Sequence, residues 1–195
     1  MLAVGLWNVA CKYIERSVAV AVGIGLLGLA AAAPFWVIQP EYQTPTLAKW
    51  QAWTLPHRSD ATFGDKIRLL GYRAESTESS EQLVVNMTLY WQAIRHPELD
   101  YSAFVHAFDE SGELVAQSDV GLGSDRGYPS SAWWAEDIVP SQHTLMLPLD
   151  AATKVAEIRV GVYFWADQSR LPVVEGGVPV SDFVTLEEPM RTKGN

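Results

Sequence analysis

The residues of this chain most suited to chemistry are four histidines, His57, His96, His106 and His143, and a set of neighbouring carboxylates. A metal centre needs ligands that converge, and no two of these histidines are close in sequence. The nearest thing to a metal motif is His106 with Asp109. Three positions apart on a strand, their side chains leave from opposite faces, which separates them. Asp119 and Asp125, in a glycine-rich stretch, are the oxygen ligands that calcium would prefer, but they form no recognisable loop pattern. No metal is assigned, and the histidines are read as structural or solvent-facing. Asp109 with Glu110 and Glu136 with Asp137 have the residue types of an acid and base for sugar hydrolysis. Adjacency does not supply that geometry, so both pairs are read as solvated turn charges. Ser130 and Ser131 lack the Gly-x-Ser-x-Gly elbow that exposes a nucleophile. Phosphate-binding and dinucleotide fingerprints are absent from the sequence. The expectation is a chain with no catalytic residue and no cofactor.

Aromatic residues are the excess, with eight Trp and seven Tyr. Such rings stack on the apolar faces of sugars or anchor a protein partner. Tyr128, Trp133 and Trp134, in a loop with Gly127 and Pro129, are the candidate glycan or partner contacts. The competing assignment is packing: Trp91 falls on an inward strand face, and Trp133 could plug one end of a small core.

The elements that must position these residues read as strands. In Leu83 to Trp91 the residues Leu83, Val85, Met87, Leu89 and Trp91 alternate with Asn86, Thr88 and Tyr90, a period of two that predicts a half-buried strand. Ala103 to Phe108 and Glu113 to Gln117 flank Asp109-Glu110-Ser111-Gly112, where glycine can take the positive φ of a tight turn, so a hairpin is predicted. Lys66 to Tyr72, Gln142 to Leu147, Val155 to Phe164 and Asp182 to Leu186 are further runs. About eight strands without sustained helical periodicity predict an all-β, antiparallel β-sandwich of jelly-roll or immunoglobulin-like type. The stretch Ser118 to Pro140 is its longest loop.

Composition narrows the classes further. With 195 residues the chain has room for one domain and an appendage. Residues 41 to 195 hold 12 Lys and Arg against 22 Asp and Glu, a net charge of −10. Nucleic-acid binding draws its affinity from cations on phosphates, so a nucleic-acid partner is excluded as an expectation. Cys11, the single cysteine, precedes the strands, which removes thiol chemistry and disulfides from the domain.

Residues 17 to 38 are 22 uncharged positions, about 33 Å as a helix, which is enough to cross a bilayer core. Lys12 and Arg16 precede the run, so the positive-inside rule predicts a cytoplasmic N-terminus and residues beyond 38 outside the plasma membrane. Trp36 and Tyr42 bracket the exit as interfacial aromatics do. A cleaved signal peptide is the rival, but Pro34 directly after Ala31–Ala33 is a poor first mature residue and the apolar run continues past it. Residues 1 to 16 read as a cytoplasmic segment or the end of a preceding membrane helix, which would put the natural start upstream of Met1. The expected plan is completed by an aromatic and proline connector at 39–65, the sandwich at 66–188 and a disordered tail at 189–195.

Several stretches occur in an order that is specific as a set: APFWVIQPEYQTP at the helix exit, IRLLGY at 67–72, LYWQA at 89–93, DYSAFVHAFDESGELVAQSD at 100–119, YPSSAW at 128–133, HTLMLPLD at 143–150 and RVGVYFWADQSRLPV at 159–173. Together they resemble the last membrane helix and C-terminal β-rich domain of bacterial polytopic membrane glycosyltransferases, the class related to protein O-mannosyltransferases. Two turns depart from that pattern, at Ala135-Glu136-Asp137 and at Ala152 to Glu157. The family's catalytic acid lies after its first membrane helix, a region without counterpart here, so no catalytic residue carries over. The resemblance implies a bacterial plasma-membrane chain with a non-catalytic extracytoplasmic accessory domain, with lipid, a glycan or a membrane protein as partners. The alternative is a single-pass subunit of another membrane complex that uses the sandwich as a protein-binding module.

Overall fold

A computed structural model describes residues 54–186, together with Val18, Ala21, Val22, Ile24, Thr46 and Leu47. The chain divides into two compact units, 1–44 and 45–195. Of the first, the four described residues are helical and exposed. Among the described residues no helix is long and apolar enough to cross a membrane, and the rest of the run at 17–38 lies outside them, as does the tail from 187.

The second unit is built from antiparallel strands: β1 (His57–Arg58), β2 (Thr62–Phe63), β3 (Ile67–Glu78), β4 (Gln82–Ala93), β5 (Tyr101–Asp109), β6 (Leu114–Gly121), β7 (Ile138–Pro148), β8 (Val155–Phe164), β9 (Val173–Glu175), β10 (Val178–Ser181) and β11 (Val184–Thr185). They form two sheets. The larger runs β10-β9-β2-β3-β4-β7, with β1 also pairing β3, and the smaller runs β11-β8-β5-β6. A single helical turn, α1 (Leu149–Ala152), links β7 to β8.

The alternating residues of β4 do what a period of two requires: Leu83, Val85, Met87, Leu89 and Trp91 are all buried, while their neighbours are partly or fully exposed. Opposite them, Ala103, Val105 and Ala107 of β5 and Ile158, Val160 and Val162 of β8 turn inward from the smaller sheet. All belong to one continuous core, so the two sheets pack face to face. Trp91 is among the largest fully buried side chains of this core, alongside the small Ala103 and Ala107 of β5.

Three expectations change. Four strands, β1, β2, β9 and β10, are only two to four residues long, too short to show any periodicity. The first two lie in the stretch read as a connector, and Leu47 N–H donates to Ile138 C=O at 2.8 Å, so the sheet begins well before residue 66. The long loop is shorter than expected, because β6 runs on to Gly121 and β7 starts at Ile138. Pro140 misled there. It lies inside β7, the edge strand of the larger sheet, where a proline need not interrupt pairing.

Candidate functional site

The loop between β6 and β7 joins the two sheets at one end of the sandwich, and it is built around a proline and two tight turns. Short 3-10 turns at Ser124–Arg126 and Ser130–Ala132 fold it back on itself. Ser130 is the clasp. Its buried hydroxyl accepts from Tyr101 N–H at 2.8 Å and donates to Leu99 C=O at 2.9 Å, fastening the loop to the segment before β5. Ser131 N–H reaches the Asp100 carboxylate at 3.2 Å, and the His96 ring meets Trp133 C=O at 2.8 Å.

Within this frame the three candidate aromatics separate. Trp133 is fully buried and its indole N–H donates to Tyr128 C=O at 2.8 Å, so it closes the end of the core and has no face for an external ligand. Tyr128 is buried too, its hydroxyl donating to Asp137 at 2.7 Å. Burial, with the Asp137 carboxylate beside it, pushes the phenol up to about 12. Trp134 alone of the three is open, at 71% exposure, with the His96 ring 6.0 Å away. A contact surface here therefore rests on Trp134, and Tyr128 and Trp133 support it from beneath.

The carboxylates also prove to be structural, in a more specific way than solvated turn charges. Asp137 accepts from both Tyr128 O–H and Trp134 N–H, holding the loop shut. Asp109 accepts from the backbone N–H groups of Ser111 and Glu113 and from the Ser111 hydroxyl, and these bonds hold its pKa below the usual carboxylate range. Asp119 pairs with His106 at 3.4 Å across β5 and β6. Among the described residues no group of three or more His, Cys, Asp or Glu could hold a metal.

Gly123 shows how tightly the loop is closed. Its φ is +73°, and an added Cβ would collide with the Tyr128 carbonyl that accepts the Trp133 bond. Gly127 has φ +63° but open space around it. Gly127→Ala is expected to cost about 1 kcal/mol from backbone strain alone, and Gly123→Ala roughly 1–3 kcal/mol more. Thermal unfolding of the two variants side by side checks this; equal losses would mean the loop accommodates the methyl.

One buried polar group escaped the sequence reading. His143 is 1% exposed. Trp91 N–H donates to the Ser141 hydroxyl at 2.8 Å, and that hydroxyl lies 3.0 Å from His143 Nε2. Because the Ser118 carbonyl can only accept, Nδ1 carries the ring proton and donates to it at 3.3 Å, which leaves Nε2 of the neutral ring to accept from the Ser141 hydroxyl. The Ser-His spacing is that of a nucleophile and base, yet both residues are sealed from solvent, so the pair is a structural clasp. It ties β7, the edge of the larger sheet, to β6, the edge of the smaller. At the opposite seam, between β1 and β11, lies a cleft of about 430 Å³ lined by His57, Tyr72, Val184 and Leu186 among others. Its floor is stiffened by the His57 ring stacked on Tyr72 at 4.6 Å.

The outward face of the smaller sheet carries cations on rings. Arg159 is held between Phe108 and Phe183 at 4.3 and 4.5 Å, and Arg170 lies 4.7 Å from Phe104. Each is matched by a carboxylate, Glu157 at 2.6 Å and Asp182 at 2.8 Å, so the face is internally neutralised.

No family model matches this chain, and no curated protein matches it. Among solved structures it is similar to a glycosyl hydrolase family 2 member from Bacteroides cellulosilyticus DSM 14838, with 8% identity over 66% of this chain and a TM-score of 0.34. The match spans 15% of that enzyme's chain. Similarity at this level carries no argument about fold or activity.

Proposed function

We propose that this chain is a non-catalytic accessory unit, a jelly-roll or immunoglobulin-like sandwich held at the outer face of a bacterial plasma membrane by a helix over residues 17–38, and that it belongs to or acts beside a membrane glycosyltransferase. The observation that carries the proposal is the ordered set of segments from APFWVIQP to RVGVYFWADQSRLPV, which resembles the end of such an enzyme. The roles found for the candidate groups support it. Asp109 and Asp137 close turns, Ser130 clasps a loop and Ser141 with His143 joins two sheets, so each is committed to holding the fold. The unit's work in this reading is to position a glycan or protein acceptor, or to pack on the catalytic part.

The alternative, a subunit of another membrane complex, is favoured by the exposed Val178 and Val180 on the edge strand β10, where an apolar partner could rest. Protease treatment of spheroplasts followed by site-specific crosslinking from the domain surface tests both. The expected result is digestion of the domain in intact spheroplasts and crosslinks to a polytopic transferase. Digestion only after lysis sinks the orientation, crosslinks to a membrane protein of another class favour the alternative, and turnover of a lipid-linked sugar by the purified chain overturns the non-catalytic reading.

A further inference from the structure

Two exposed tryptophans lie at the same end of the sandwich, and it is the end where the chain enters the domain. Trp134 is 71% and Trp165 61% exposed. Trp165 directly follows β8, whose last residue, Phe164, pairs with Tyr101 at the start of β5. Trp134 sits in the loop that Ser130 fastens to Leu99 and Tyr101, which places both rings on one rim. Leu99, 40% exposed, lies on that rim as well. Leu114 and Met146, also exposed, are elsewhere, in the β5–β6 hairpin and far along β7, while Val178 and Val180 lie on the edge strand β10. Leu47 joins the rim through Ile138, the first residue of β7 and four positions from Trp134.

We infer that this rim is a lipid-contacting surface, with Trp134, Trp165 and Leu99 seated in the headgroup region of the bilayer. The inference rests on the membrane anchor proposed above, because the nine residue steps from Ile38 to Leu47 reach at most about 32 Å when fully extended. A short tether that enters at the tryptophan rim favours turning that rim, and not the far hairpin, toward the membrane. The indole is the side chain suited to that depth, since its ring prefers the apolar boundary and its N–H remains hydrogen-bonded to water or headgroups. Cations do not drive the contact. Lys66 and Arg126 near this end are paired with Glu98 and Asp125, and Arg95 donates to Gly64 C=O, so among the described residues this end carries no cluster of free cations to favour anionic over zwitterionic lipid.

The experiment uses the full chain in phosphatidylcholine vesicles, with and without lipid brominated on the upper acyl chain. The emission of the two rim tryptophans is taken as the difference between the wild type and the W134F/W165F double variant. The expected result is blue-shifted difference emission that loses most of its intensity with brominated lipid and little with aqueous iodide. Emission quenched by iodide and untouched by bromine overturns the inference; if the protein meanwhile resists carbonate extraction, the anchor stands and only the seating fails. Emission shielded from both quenchers also overturns it, since the rim would then be covered by another copy of the chain. Bromine quenching in a protein that carbonate strips from the vesicles supports the lipid surface and refutes the anchor.

Discussion

Trp91→Ala is expected to lower the unfolding free energy by roughly 3–5 kcal/mol. The indole has no exposed surface, packs edge-on against Phe63 at 5.8 Å, and lies between Leu69 of β3 and Val139 of β7. Removing it leaves a cavity against rigid strands on both sides, which can collapse only partly. It also takes away the N–H that donates to the buried Ser141 hydroxyl, next to His143. Trp91→Phe retains most of the apolar contact but not that donor, so its cost should be nearer 1–2 kcal/mol. Chemical denaturation of both variants separates cavity from hydrogen bond. A loss below about 1 kcal/mol for the alanine variant would place the ring outside the core.

Acidification from pH 6.5 should destabilise the domain through His143 by about 3 kcal/mol, and the sign follows from its burial. Desolvation lowers its pKa from the ordinary 6.5 to about 4, against the raising effects of the Ser118 carbonyl and of Asp119 and Asp125. Between those values the unfolded chain binds a proton that the folded chain refuses, so stability rises with pH across the window. The contribution is fully present above pH 6.5 and is lost as pH falls toward 4. Asp109 and Asp167, whose turn bonds depress their pKa values, lose stability in the same direction, but at the lower pH where carboxylates titrate. The diagnostic range is therefore pH 5 to 6.5, where His143→Gln should flatten the stability slope. Should that variant not fold, the wild-type ring signals decide: His143 is expected to stay neutral at pH 5 by NMR. A ring that titrates near 6.5 would show that the clasp opens to solvent.

These two residues mark where sequence reasoning reached and where it stopped. Trp91 was legible as an inward core residue because alternation in β4 is a local property: each side chain's face depends only on its position along one strand. The hairpin of β5 and β6 was legible for the same reason, as Gly112 and Asp109 carry the turn within four residues. His143 was not, because its burial comes from Ser118, 25 positions away on the other sheet. The alternation in HTLMLPLD does put His143 on the face of Leu145 and Leu147, but the group that accepts its proton lies on the other sheet, outside that segment.

The candidate site divides along the same line. The sequence by itself determined an acidic, cysteine-free, all-β domain preceded by a charge-free run long enough for a bilayer, since charge, composition and period are summed along the chain. It also singled out the loop containing Tyr128, Trp133 and Trp134. Only the tertiary structure decided that Trp133 closes the core, that Tyr128 is tied to Asp137, and that Trp134 shares an open rim with Trp165. Those outcomes depend on Ser130 reaching back to Leu99 and Tyr101, about thirty residues earlier, and on β8 ending beside the start of β5. Adjacent tryptophans with the same chemistry thus have opposite fates, because exposure is set by what the opposite sheet places above each ring, and strand order across two sheets is written in no single segment of the chain.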